Sequence, residues 1–172
     1  MDFLSHALWG GIAFGRTNTR AFILAALFGV LPDLLSEGIM FTLAFLGLPG
    51  MPEVMGTHPN ITDFPAYAQM FYNMTHSLIF AGLVIVLICL LFRRVVWPVF
   101  AWPLHILIDI PTHSKELFPT PFLFPISTYT FDGIPWDHPY ILIPNFLFLA
   151  FLYGIWIYIT IRNRRERRAR SN

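Results

Sequence analysis

The 172-residue sequence predicts an all-α fold: a polytopic membrane helix bundle of about five membrane segments, with a short N-terminal helical hairpin and a Pro/aromatic-rich outer cap. Composition is the first reason, since 56% of residues are hydrophobic, 12% are charged and the mean hydropathy is +0.61, far from the balance of a soluble domain. The second is the alternation of apolar runs with short polar turns. The third is charge sorting. Ten of the eleven Lys and Arg residues fall in three groups, Arg16/Arg20, Arg93/Arg94 and the run Arg162, Arg164, Arg165, Arg167, Arg168 and Arg170, while nine of the ten acids lie in the alternate segments. The positive-inside rule makes the arginine groups cytoplasmic and puts the loops around 49–75 and 111–138 on the outer face.

Phe3 to Gly15 is apolar but only about 20 Å long as a helix, too short for a hydrocarbon core of roughly 30 Å. Arg16 to Arg20 makes a polar turn, and Ala21 to Leu31 climbs back until Pro32 and Asp33 interrupt it, which completes the hairpin. Leu34 to Leu48 continues as a second, kinked helix. Residues 49–73, rich in Pro, Met and polar side chains, read as an outer loop or interfacial segment. Ser77 to Phe92 descends to Arg93-Arg94, and Val95 to Ile110 returns, bent by Pro98 and Pro103. Pro111 to Pro139 is an ordered interfacial cap with repeated prolines and aromatics between them. Tyr140 to Ile161 is a conventional span. This divides the chain into a membrane-embedded domain, 1–161, and a basic cytoplasmic tail, 162–172. Directly after an apolar span the tail reads as a topology anchor and anionic-lipid contact, with no nucleic acid as partner. With Asp2 and no basic leader, the N-terminus is expected to belong to the mature fold. The single cysteine, Cys89, excludes internal disulfides and thiolate zinc sites.

Against this apolar background the polar residues stand out. An Asp at membrane depth costs roughly 2.5–3.5 kcal/mol on insertion scales, so it persists where partners, water or an ion compensate it. His105 and Asp109 lie four residues apart, on one helical face. At 1.5 Å per residue, Asp33 rises about 20 Å above Arg20, Asp109 about 22 Å above Arg94, His76 about 25 Å above Arg93, His6 about 15 Å above Arg16 and His105 about 16 Å above Arg94. Four distant segments thus deliver imidazoles and carboxylates to the outer half of the bilayer. Such N/O sets bind zinc and other first-row divalent ions and leave positions for water, which becomes a nucleophile near neutral pH. His-x3-Asp alone is a weak motif, since such pairs also form structural hydrogen bonds. His58 and His138 read as loop residues.

The segments Asp2-Phe3-Leu4-Ser5-His6-Ala7-Leu8 with Gly10, Leu31-Pro32-Asp33, Thr75-His76-Ser77-Leu78 and His105-x3-Asp109-x2-Thr112 resemble, in order, the four motifs of a large prokaryotic family of predicted inner-membrane metal-dependent hydrolases, distantly phospholipase C-like. The resemblance covers roughly residues 1–130 and implies a hydrolase without naming the bond. Two positions depart from the family pattern. Leu34-Leu35-Ser36 stands where a second acid commonly follows Pro-Asp, and Phe71-Tyr72-Asn73-Met74 where a His-Arg precedes Thr-His-Ser. On this footing His6, His76, His105 and Asp109 are metal ligands, with Asp33 a ligand or the base that takes a proton from water. Glu37, His113 and Asp2 are extra ligands or supports, and Thr75, Ser77 and Thr112 hydrogen-bond the ligands unless they cap helices.

The expected function is therefore a membrane-embedded, zinc-type metal-dependent hydrolase of the inner (plasma) membrane, multi-pass, with its C-terminus cytoplasmic and its site toward the outer face. Metal-activated water would cleave a lipid-linked or envelope ester or phosphoester, so the partner is a lipid or amphiphilic small molecule. No His-Glu-x-x-His exists to suggest a peptidase. The alternatives are a transporter or proton/ion relay using the same cluster, and a non-catalytic membrane scaffold whose cluster is a hydrogen-bonded core.

Overall fold

The computed structural model describes residues 1–49, 51–53, 60–116 and 118–171, and these form seven α-helices, two 3₁₀ turns and no strand. The helices are α1 (Phe3–Phe14), α2 (Thr19–Leu35), α3 (Glu37–Phe45), α4 (Ala66–Thr75), α5 (Leu78–Phe92), α6 (Ala101–Thr112) and α7 (Pro139–Ser171). The all-α expectation holds. His58 lies outside the described residues.

The N-terminal hairpin forms as expected, and glycine explains its closeness. A Cβ at Gly10 would strike the Ala25 carbonyl oxygen and come within 3.0 Å of Ala101 Cβ, and one at Gly29 would strike the His6 carbonyl oxygen. Small residues let helix backbones approach closely. Asn18 caps α2 by accepting from Ala21 N–H, and Asp2 caps α1 by accepting from Ser5 N–H at 2.9 Å.

Five crossings are not supported. Only α7 is by itself long and apolar enough to cross a bilayer. Two bent pairs, α2 with α3 (48°) and α4 with α5 (60°), pass the same test only when taken together, which gives up to three spans. Helices α1 and α6, of 12 residues each, reach about 18 Å and fall short. Hydropathy measures how apolar a run is but carries no direction, so it joins pieces that bend apart.

Several boundaries also move. Pro32 does not stop α2, which runs to Leu35; the break comes at Ser36, whose backbone N–H and hydroxyl both donate to the Pro32 carbonyl. The segment expected to be loop contains α4, whose buried Ala68, Tyr72 and Thr75 recur at helical spacing. The expected return helix begins as a 3₁₀ turn, Trp97–Phe100, before α6. Pro103 lies in the first turn of α6, where a missing N–H costs nothing. The basic tail is no separate segment, because α7 continues through the arginine run to Ser171.

Helix α7 is mostly exposed; Asn145 and Leu149 are its buried residues. Asn145 ties it to α1, accepting from Trp9 Nε1–H and donating to Ser5 Oγ, each at 2.8 Å, while Tyr153 O–H donates to the Leu8 carbonyl at 2.8 Å. The described residues of 113–138 hold together through backbone and packing contacts. Gly133 N–H donates to the His113 carbonyl and Ile134 N–H to the Pro111 carbonyl, while Phe118 packs in a core with Met40, Ile61, Phe64 and Tyr72.

Candidate metal centre

Asp33 from the last turns of α2, His76 from the break between α4 and α5, and His105 and Asp109 from α6 meet in the interior, where a ligand atom from each lies within 4.8 Å of every other. All four are essentially without solvent exposure. His76 is there because Thr75 ends α4 and Ser77 starts α5, with the Ser77 hydroxyl accepting from Ile79 and Phe80 N–H. That hydroxyl also donates to the Phe124 carbonyl.

Each imidazole has its ordinary N–H committed outward. His105 Nδ1 faces the Gly29 carbonyl at 2.7 Å and His76 Nδ1 faces the Tyr72 carbonyl at 3.2 Å. A carbonyl can only accept, so Nδ1 carries the proton in both rings and a neutral imidazole presents a bare lone pair at Nε2. The two Nε2 atoms lie 3.3 Å apart. Asp33 Oδ1 is 3.2 Å from His76 Nε2 and 3.1 Å from His105 Nε2, and Asp109 Oδ2 is 2.9 Å from His105 Nε2 and 3.9 Å from His76 Nε2. Between neutral rings these contacts set acceptor against acceptor, and Asp33 Oδ2 and Asp109 Oδ2 are buried without a hydrogen-bond partner among the described residues. Four such atoms held that close in a dry interior are satisfied either by a cation between them or by shared protons.

The spacing suits one. Ligands about 2.0–2.1 Å from a tetrahedral ion are about 3.3 Å from one another, and the five separations above, 2.9–3.9 Å, bracket that value. Carbonyl acceptors behind the ligating histidines are also the usual outer support of such ions. The cluster can therefore hold a metal ion.

The other expected residues fall into place around this core. His6 is buried beside it but faces the other carboxylate oxygen, with Nε2 3.0 Å from Asp109 Oδ1, its ring stacked on His105 at 3.6 Å and Nδ1 unpartnered. The Met1 amine also lies on Asp109 Oδ1, at 2.5 Å, and donates to His113 Nε2 at 3.2 Å. His113 Nδ1 then donates to Thr120 Oγ1 at 3.2 Å. Asp2 binds Ser5 through its side chain rather than the His6 ring. Thr75 lies at the end of α4, where its hydroxyl donates to the Tyr72 carbonyl at 3.1 Å and meets His76 Nδ1 at 3.1 Å, the contact with a candidate ligand expected of it; Thr112 O–H donates to the Ile108 carbonyl at 2.9 Å. Glu37 opens α3 and makes no hydrogen bond among the described residues. His138 is exposed at the start of α7.

Three contributors had no ligand-like signature. Gly29 acts through its carbonyl. Tyr72 stacks on His76 with centroids 4.1 Å apart, and its position one helical turn before His76 was the signal available. Trp102 Nε1–H donates to the Thr75 carbonyl at 2.8 Å and secures the helix break beside His76. Trp102→Phe keeps an aromatic ring but leaves that carbonyl unpaired, which is expected to cost about 1–3 kcal/mol and, if the cluster holds a divalent ion, to weaken its binding about 10–100-fold. Denaturant titration and equilibrium dialysis would read both effects, and unchanged values would remove Trp102 from this role. Comparison with protein-family models, curated proteins and solved structures found no match.

Proposed function

We propose that this protein is a membrane-embedded, metal-dependent hydrolase acting on a lipid-linked ester or phosphoester, and a member of the inner-membrane hydrolase family that its motifs resemble. The observation carrying the reading is the pair of Nε2 atoms 3.3 Å apart, set between two carboxylates. Asp33, His76, His105 and Asp109 would hold the ion, with zinc favoured by the two-imidazole, two-carboxylate donor set. A bound divalent ion would lower the pKa of water and polarise an ester or phosphoryl oxygen.

The chain's own groups supply the rest. Asp33 Oδ2, unpartnered in a dry interior, is placed to accept a proton. Gly29 and Tyr72 carbonyls orient the imidazoles. A cavity of about 160 Å³ lined by Gln69, Tyr72, Asn73, Pro119 and Thr128 reaches Tyr72, whose ring separates it from His76. Substrate then approaches from the cap side, and Tyr72 must give way. The arginine-rich ends face the cytoplasm, the site faces outward, and the two bent helix pairs cross as broken spans beside α7.

The test is turnover by zinc-loaded protein on lipid-linked phosphomonoesters, phosphodiesters and carboxylic esters. Asp33→Asn is expected to lower the rate at least about a hundredfold, the scale of a lost general base. Zinc-loaded protein that cleaves none of these would overturn the hydrolase and leave the metal centre standing. Solute accumulation in proteoliposomes would assign the cluster to transport instead.

A further inference from the structure

At the opposite end of the α1–α2 hairpin, a cavity of about 700 Å³ opens between the hairpin turn and the turn joining α5 to α6, lined by Arg16, Asn18, Arg20, Leu24, Arg94 and Trp97 among others. We propose that it binds the phosphate of an anionic phospholipid from the surrounding bilayer. This rests on different residues from the metal centre and stands or falls without it.

Three observations carry the proposal. Arg16, Arg20 and Arg94 come from two separate turns to one cavity, and none forms an ion pair with a carboxylate among the described residues. Like charges gathered without a counter-charge call for an anion, and guanidinium matches phosphate in a two-pronged geometry. The same mouth carries the start of α2, where Asn18 satisfies Ala21 N–H and the N–H groups of Thr19 and Arg20 have no partner among the described residues. A 17-residue helix presents positive potential there.

The second observation is how the chain builds the turn. Arg93 ends α5 in the left-handed region at φ 51°, and Arg94 N–H folds back to the Cys89 carbonyl. A non-glycine residue in that conformation is uncommon, and here it directs the next residue, Arg94, to the cavity.

The third decides in favour of lipid over soluble phosphate. The basic lining runs directly into exposed apolar surface, Leu24 in the cavity wall with Ile23 and Leu27 beyond it on α2. A neighbouring cavity joins the same hairpin turn to Trp156, Ile161 and Arg164 of α7, where the span-capable helix passes from apolar residues to arginine. The site therefore lies at the edge of the hydrocarbon, where a headgroup sits. Trp97 is exposed at that level, as interfacial tryptophans are.

Native mass spectrometry of the full-length chain with phosphatidylglycerol and phosphatidylcholine tests this. Phosphatidylglycerol is expected to bind preferentially, and the triple change Arg16→Gln, Arg20→Gln and Arg94→Gln to weaken it about a hundredfold, given the contribution of each interfacial arginine. Arg165→Gln, Arg167→Gln and Arg170→Gln together, on the tail, should leave affinity within about threefold. If circular dichroism shows the first triple variant unfolded, Arg94→Gln alone on its exposed turn should weaken binding about fivefold. An equal loss from the tail changes, equal binding of phosphatidylcholine, no loss in Arg94→Gln, or full competition by glycerol 3-phosphate at matched concentration would each overturn the proposal.

Discussion

If the proposed centre holds a divalent ion, Asp109→Asn is expected to abolish its stoichiometric binding. The loss should exceed the 10–100-fold typical of outer supporting residues, because in the proposed centre Asp109 would be a ligand and the anion that balances the ion. Asp109 Oδ2 lies 2.9 Å from His105 Nε2, while Oδ1 holds His6 at 3.0 Å. The change preserves shape, so the hairpin and α6 remain packed and the protein still inserts. It replaces an acceptor facing bare imidazole nitrogen by an amide that can donate to it, which relieves the need for a cation. Elemental analysis supplies the metal content, and thermal unfolding with and without a chelator supplies the linkage. Chelation should destabilise the unaltered protein and leave Asp109→Asn unmoved, since a ligand that binds only the folded state stabilises it by mass action. An unaltered protein that is metal-free and indifferent to both added zinc and chelator would mean that protons, rather than an ion, occupy the cluster.

Gly29→Val is expected to have the next largest effect, although glycine has no side chain to offer the site. Its missing Cβ is what lets the His6 backbone of α1 lie against α2, and its carbonyl accepts from His105 Nδ1–H at 2.7 Å. A valine would push the two backbones apart, moving His6 away from Asp109 and turning the carbonyl that fixes the His105 ring. Overpacking of this kind costs about 1–3 kcal/mol or more, and the displaced ligands should lower metal affinity alongside stability. Gly154→Ala in α7 is the control, since nothing lies within 4 Å of a Cβ there. It should leave metal binding unchanged and stabilise slightly, by up to about 1 kcal/mol, through helix propensity. Equal unfolding midpoints and equal metal content in Gly29→Val and the unaltered protein would show that the hairpin tolerates the separation and that Gly29 does not set the site.

These two residues mark the boundary between what was legible beforehand and what was not. Asp109 was conspicuous because an acid among Ile106, Leu107, Ile108 and Ile110 has no cheap explanation, and its spacing from His105 placed both on one helical face. Gly29 sits in an apolar run with nothing to distinguish it, since its importance lies in which backbone passes beside it. Tyr72 and Trp102 were unremarkable for the same reason. His6 shows the intermediate case: its proximity to the cluster followed from depth, but whether it would join the four facing groups or serve the far oxygen of Asp109 depended on rotation about α1. The number of crossings differs from the expectation because the apolar run Val95 to Ile110 opens as a 3₁₀ turn and leaves α6 only 12 residues long, and because the bends of 48° and 60° are backbone geometry that hydropathy does not encode.

By itself the sequence determined the helical class, the hairpin and its polar turn, and the burial of imidazoles and carboxylates from four widely separated segments, because the energetic penalty of such groups in apolar surroundings is a local property of the chain. Only the tertiary structure decided that Asp33, His76, His105 and Asp109 face one another at ligand spacing, that His6 stands to one side, and that the hairpin's far end closes a basic cavity. Those are matters of direction. They are settled by where glycine lets backbones touch and where a helix bends, which no linear pattern of polarity contains.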